Sequence, residues 1–137
     1  MWLITQGTTA YKYATTKEKE LITSPYYIVK FVHDMTKQER FCTVTDSSSF
    51  PLRFQKFSIV ETTTPTSFTN QVKLDHKQAW KYYIYEISAA DYGNIVSLDL
   101  VDYTALNLLE QGRLRVTTTA ITRQEYTYTN TRQEYNA

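Results

Sequence analysis

Apolar and polar residues alternate with a period of two in short runs along most of the chain, and each run is bounded by turn-favouring residues. The runs are Trp2 to Gln6, Thr8 to Thr15, Glu20 to Ser24, Tyr26 to His33, Glu39 to Thr45, Phe54 to Val60, Gln71 to Leu74, Trp80 to Ser88 and Arg113 to Ile121. A period of two sends successive side chains to opposite faces of a pleated strand, so the pattern predicts seven to nine short strands. The long helical segments that a parallel sheet needs between its strands are missing. An antiparallel sandwich or barrel follows, and of the two we expect the sandwich.

The clearest local unit is a hairpin made from Tyr26 to His33 and Glu39 to Thr45, joined by the polar Asp34 to Gln38 segment. A turn centred on Thr36 would set Phe31 opposite Phe41 and Ile28 opposite Val44, an apolar cross-strand set that a one-residue slip would lose. In the run Trp80 to Ser88, one face carries Trp80, Tyr82 and Ile84 and the other Tyr83, Tyr85 and Ile87, as expected of a central strand covered on both sides. Between Ala89 and Leu109 the residues Leu98, Leu100, Val101, Leu106, Leu108 and Leu109 fit either one short helix or a long packed loop.

Composition narrows the functional classes. A chain of 137 residues is one domain in size and buries roughly two-thirds of its unfolded surface. Twelve Tyr, six Phe and many Thr suit strands better than helices. A formal charge of +1 gives no field to draw nucleic acid or an anionic membrane, so the expected partner is protein. The single Cys42 forms no internal disulfide, and the opening Met-Trp-Leu-Ile-Thr run is too short for a signal-peptide core or a membrane span. Folding in the cytoplasm is expected. Gly7, Gly93 and Gly112 are too far apart for a phosphate-cradling loop. Beyond Ala120 the chain turns polar and Tyr-punctuated, and Thr-Arg-Gln-Glu-Tyr occurs at 122 to 126 and again at 131 to 135. The division expected is a sandwich over 1–121 and an extended arm over 122–137, mobile when free and ordered against a neighbouring subunit.

Candidate chemistry is thin. In the expected hairpin register Cys42 lies opposite Lys30, which leaves His33 about 10 Å away and on the other face of the sheet, so the two make no thiolate pair. His33-Asp34 and Asp75-His76 carry metal-ligating atoms without the spacing of a metal motif, and both sit at strand ends, where polar residues face water. Glu86 has no second carboxylate for glycoside chemistry. Tyr26, Tyr27, Tyr82, Tyr83 and Tyr85 lie inside strands, where a ring is core or sheet surface before it is a stacking platform. Lys17 to Glu20 alternates in sign and reads as a solvated edge. Arg113 and Arg115 flank Leu114, available to a partner carboxylate or to water. No catalytic, cofactor or metal residue is expected and the chain is not read as an enzyme; the expected subunit-contact residues are Trp2, Tyr126, Tyr128, Arg132 and Tyr135.

Pro25 to His33, Arg53 to Phe57, Gln71 to Leu74, Trp80 to Glu86, Leu108 to Val116 and Glu134 to Asn136, taken in their order, resemble a family of small virion proteins encoded beside the capsid genes of tailed phages of Bacteroidota, including crAss-like phages. The resemblance implies an auxiliary or minor capsid protein with an immunoglobulin-like sandwich, which decorates or bridges the major capsid lattice. Its partners would be the major capsid protein and neighbouring copies, with no nucleic acid, membrane or small-molecule substrate, and its place the virion, after synthesis in the host cytoplasm. The family pattern has a Gly ahead of its aromatic strand, where this chain has Asp75 to Ala79. The competing readings are a carbohydrate-binding or adhesion module of a phage head or tail fibre, and a small all-β enzyme. Aromatic side chains lined along an exposed sheet face would favour the first of these, convergent titratable groups the second.

Overall fold

The computed structural model describes residues 1–22, 25–49, 53–74 and 78–117. They form an all-β protein with two sheets. The strands are β1 (Trp2–Thr5), β2 (Thr9–Ala14), β3 (Tyr26–His33), β4 (Glu39–Val44), β5 (Gln55–Glu61), β6 (Gln71–Val72), β7 (Gln78–Ile87) and β8 (Asn107–Thr117). The large sheet runs β1-β8-β7-β3-β4 and the small one β2-β5-β6. The expected antiparallel pairing needs correction at two places, because β1 pairs parallel with β8 and β6 parallel with β5.

A core between the sheets explains the alternation. Trp2, Ile4, Tyr27, Val29, Phe31, Trp80, Tyr82, Ile84, Leu114 and Val116 point from the large sheet onto Phe57, Ile59, Val72 and Leu74. The opposite face of the large sheet buries Ile28, Tyr85 and Ile87 under the crossover from β7 to β8, which contributes Leu98 and Tyr103. β7 is therefore covered on both sides, as its two apolar faces predict. The crossover itself is a short helix α1 (Ala89–Gly93), capped where Ser88 Oγ accepts the Asp91 N–H at 3.1 Å, followed by two single 3₁₀ turns, Leu98–Leu100 and Tyr103–Ala105.

The hairpin register is one residue away from expectation. Tyr27 faces Val44, Val29 faces Cys42, Lys30 faces Phe41 and Phe31 faces Arg40. The turn decides this. The His33 N–H donates to Gln38 O and the Lys37 N–H to His33 O, each at 2.9 Å, so the loop is the four residues from Asp34 to Lys37 and is not centred on Thr36. Lys37 takes φ 61, and the Thr36 N–H donates to His33 Nδ1 at 3.1 Å. The slip keeps Tyr27, Val29 and Phe31 with Cys42 and Val44 in the inter-sheet core. It sends Phe41 to the other face, where its ring stacks on Tyr103 at 5.2 Å.

A second correction concerns residues 15–22, where no strand forms. Thr16 is fully buried, with its N–H and hydroxyl both donating to Gln55 Oε1 at 2.8 Å, and a 3₁₀ turn follows at Lys17–Lys19. The Glu20 side chain is only 3% exposed, so the Lys17 to Glu20 run is not wholly a solvated edge. Tyr27 draws it inward, donating its hydroxyl to Glu20 Oε2 at 2.6 Å. The third correction is at β8, which starts at Asn107, six residues before the expected strand. The pairing with β7 shifts between Ile84 and Tyr85, so Leu109 is an extra residue on β8. This bulge brings Leu109 into the inter-sheet core.

Candidate interaction groove

Thiol chemistry is excluded by placement, though not for the expected reason. In the observed register Cys42 and His33 share a face, four residues apart along the strand pair, which separates them by about 13 Å. Cys42 is 1% exposed, and burial pushes its thiol well above the ordinary range. His33 is itself buried and packs edge-on against Trp80 at 5.0 Å, so it does not face water as a strand-end histidine was expected to. Asp75-His76 lies outside the described residues. Among the described residues no group of three His, Cys, Asp or Glu is arranged to hold a metal, and no helix is long and apolar enough to cross a membrane.

The buried carboxylates serve as staples. Glu61 closes the corner where the chain passes from β1 to β2: its Oε1 accepts the Gly7 N–H at 2.6 Å and its Oε2 the Leu74 N–H at 3.0 Å. Gly7 sits at φ 78, a conformation that costs glycine nothing. Glu86, 1% exposed, accepts the Leu21 N–H at 2.7 Å and the Asn107 amide at 2.9 Å through Oε1, which ties the 15–22 segment to β8. Its Oε2 has no hydrogen-bond partner among the described residues. The Tyr27 hydroxyl stays protonated far above the ordinary range, first through burial, then through its bond to Glu20 and the charges of Glu20, Asp46 and Glu86.

Of the five tyrosines singled out from the sequence, Tyr27, Tyr82 and Tyr85 are buried and Tyr83 is partly so, while Tyr26 is 46% exposed. Tyr26 lines a groove of about 550 Å³ at one end of the large sheet. Its ring lies 4.6 Å from that of Tyr92, and Phe68 meets Tyr92 edge-on at 6.0 Å. Lys17, Thr43, Thr45 and Asp46 supply the polar lining. Two of these rings, Phe68 from the loop before β6 and Tyr92 from the short helix α1, lie where the sequence gives no periodic signal, and only their neighbours in space mark them. Tyr11 and Tyr13, both 56% exposed on the outer face of β2, have no distinguishing sequence signal either, because a strand-borne tyrosine looks the same in sequence whichever face is covered. Lys56 Nζ sits 4.8 Å from the centre of the Tyr11 ring, and Phe54 meets Tyr13 edge-on.

Trp2, expected at a subunit contact, is 7% exposed and stacks on Tyr82 at 3.8 Å and 7°. Its ring is spent inside the fold. Tyr126, Tyr128, Arg132 and Tyr135 lie outside the described residues, as does the whole of 122–137. Arg113 and Arg115 are exposed, and Arg113 stands opposite Lys81 on β7. Leu3, 55% exposed, stands opposite Arg115 on the terminal strand β1. Comparison with known proteins gave no matching family model, no matching characterised protein and no matching solved structure.

Proposed function

We propose that this chain is a non-enzymatic structural protein of a bacteriophage particle, an auxiliary capsid protein that decorates or bridges the major capsid lattice, built on an immunoglobulin-like sandwich. The fold reading is supported by strand order. With β8, β7, β3 and β4 taken as strands G, F, C and C′, the large sheet follows the order of a variable-type domain, and β2 and β5 pair as B and E do. The departure is β6, which lies parallel to β5 and follows it in the chain.

The observation that carries the functional reading is the half of the large sheet's outer face that the crossover leaves open. There Lys81, Arg113 and Arg115 form a basic row that runs out to Leu3 on the sheet's terminal strand. An acidic patch on a lattice neighbour complements such a row, and an apolar residue beside it gives the contact area to bury. β8 ends beside the same strand, since Thr117 O accepts the Gln6 N–H at 2.8 Å, and the arm over 122–137 comes later in the sequence. An arm that pairs along a neighbour's sheet edge recovers in main-chain hydrogen bonds the entropy of its own ordering, on the order of 1–2 kcal/mol per residue.

Two variants test this in particles assembled in the host. Arg113→Glu with Arg115→Glu changes exposed charges, so it should leave the thermal midpoint of the purified chain within a few degrees of wild type and sharply reduce its incorporation. Deletion of 122–137 should do the same. Normal incorporation of both variants would sink the reading, and unfolding of the truncated chain would make the arm an integral strand of the domain.

A further inference from the structure

We infer that the groove between Tyr26, Phe68 and Tyr92 is a binding site for a neutral oligosaccharide. The inference does not rest on the virion reading. It starts from Phe68, a bulky residue held at φ 60, the left-handed region that side chains of its size rarely adopt. The surrounding loop enforces that conformation. Thr69 O accepts the Thr43 N–H at 3.0 Å, the Thr69 hydroxyl donates to Thr66 O at 2.6 Å, and Gln71 Oε1 accepts the Thr66 N–H at 2.9 Å. Backbone strain of this kind persists where the surroundings over-determine it, and it clusters at ligand-binding positions. The strained residue here lines the groove, beside the ring of Tyr92.

The lining chemistry then selects the ligand. Three rings at mutual tilts of 52° and 85° present faces and edges in different directions, which suits the apolar C–H faces of successive sugar rings better than one flat aromatic ligand. Thr43 and Thr45, two residues apart along the β4 direction, bring hydroxyls to the same groove. Asp46 commits Oδ1 to the Ser48 N–H at 2.8 Å and the Lys56 N–H at 3.0 Å, so its position is fixed. Its Oδ2 has no partner among the described residues and is an acceptor for a sugar hydroxyl. The two charges in the lining are of opposite sign, and Lys17 already pairs with Glu20 at 3.4 Å. With Lys17 paired, Asp46 is the uncompensated charge of the lining and disfavours an acidic ligand, which is why the inference is confined to neutral sugars. A volume of about 550 Å³ lies within the range of small-molecule sites.

The test titrates the isotope-labelled full chain with cellotriose, maltotriose, chitotriose and mannotriose and follows backbone amide shifts. The expected result is saturable binding of at least one trisaccharide, with shifts centred on Tyr26, Thr43, Thr45, Phe68 and Tyr92. Tyr26 is exposed at the start of its strand, so Tyr26→Ala should fold and weaken binding by about tenfold, whereas Tyr26→Phe, which keeps the ring, should bind like wild type. Absence of saturable binding to all four sugars overturns the inference. So do shifts that map to Tyr11 and Tyr13, undiminished binding by Tyr26→Ala, or tighter binding of trigalacturonic acid than of any neutral sugar.

Discussion

Substitution of Gly112 by Ala should be among the most damaging single-methyl changes in the protein. Gly112 lies on β8 directly opposite Tyr82 of β7. The Tyr82 side chain crosses β8 at that gap to stack on Trp2 of β1, two strands away, and donates its hydroxyl to Glu110 at 2.9 Å. A Cβ on residue 112 would meet Tyr82 Oη at 2.7 Å and Cε1 and Cζ at 2.8 Å, so the ring must lift. Overpacking costs about 1–3 kcal/mol, and loss of the Trp2 stack about 0.5–1.5 kcal/mol more. Restriction of the unfolded chain by Ala returns about 0.4–1 kcal/mol. The net is a loss of about 2 kcal/mol, a fall of about 8 °C in thermal midpoint for a domain of this size. Thermal unfolding followed by circular dichroism measures it, together with a double-mutant cycle against Tyr82→Ala. In the Tyr82→Ala background the obstruction is gone, so Gly112→Ala should be neutral or slightly stabilising there. Equal costs in the two backgrounds, or no cost in wild type, would refute the argument that the tyrosine ring occupies the space of the missing side chain.

Other outcomes follow from the buried polar groups. Glu61→Gln replaces one acceptor oxygen with an amide NH2 that faces a backbone N–H donor at the β1–β2 corner, and should lower stability in urea by about 1–3 kcal/mol; an unchanged midpoint would mean the carboxylate is not the clasp of that corner. Cys42 should resist iodoacetamide in the native chain and react at the rate of global opening, since its thiol is both buried and held protonated. Fast labelling at neutral pH would contradict this. Alkaline pH should destabilise the fold: Cys42, Tyr27, Tyr82 and Tyr103 all have native values raised, each first by burial, so their contribution is complete below about 8.5, where an unfolded thiol begins to ionise, and is lost as pH rises past it and then past about 10 for the tyrosines. A midpoint independent of pH between those values, with free tyrosinate absorbance appearing in the folded state, would count against it.

The alternation in the chain by itself determined that the protein is all-β, where most strands begin and end, and that β7 is covered on both faces, because side-chain period and residue type are local properties. Tyr26–His33 is a strand of the expected extent for that reason. Where local rules left two outcomes nearly equal, tertiary structure decided. The β3–β4 register turned on a single residue of loop length, fixed by Lys37 at positive φ and the Thr36 bond to His33. The early start of β8 was hidden because the bulge at Leu109 breaks the period that would have announced it. Glu20 turned inward because a tyrosine hydroxyl from β3 reaches it, a contact between residues 7 apart in sequence whose meeting depends on the packed sheets. Trp2, expected at a subunit contact, is held by Tyr82 across a gap at Gly112. The groove belongs to the same class. Tyr26, Phe68 and Tyr92 come from separate parts of the chain, and a sequence records neither which face of a tyrosine strand is left bare nor which loops fold back beside it.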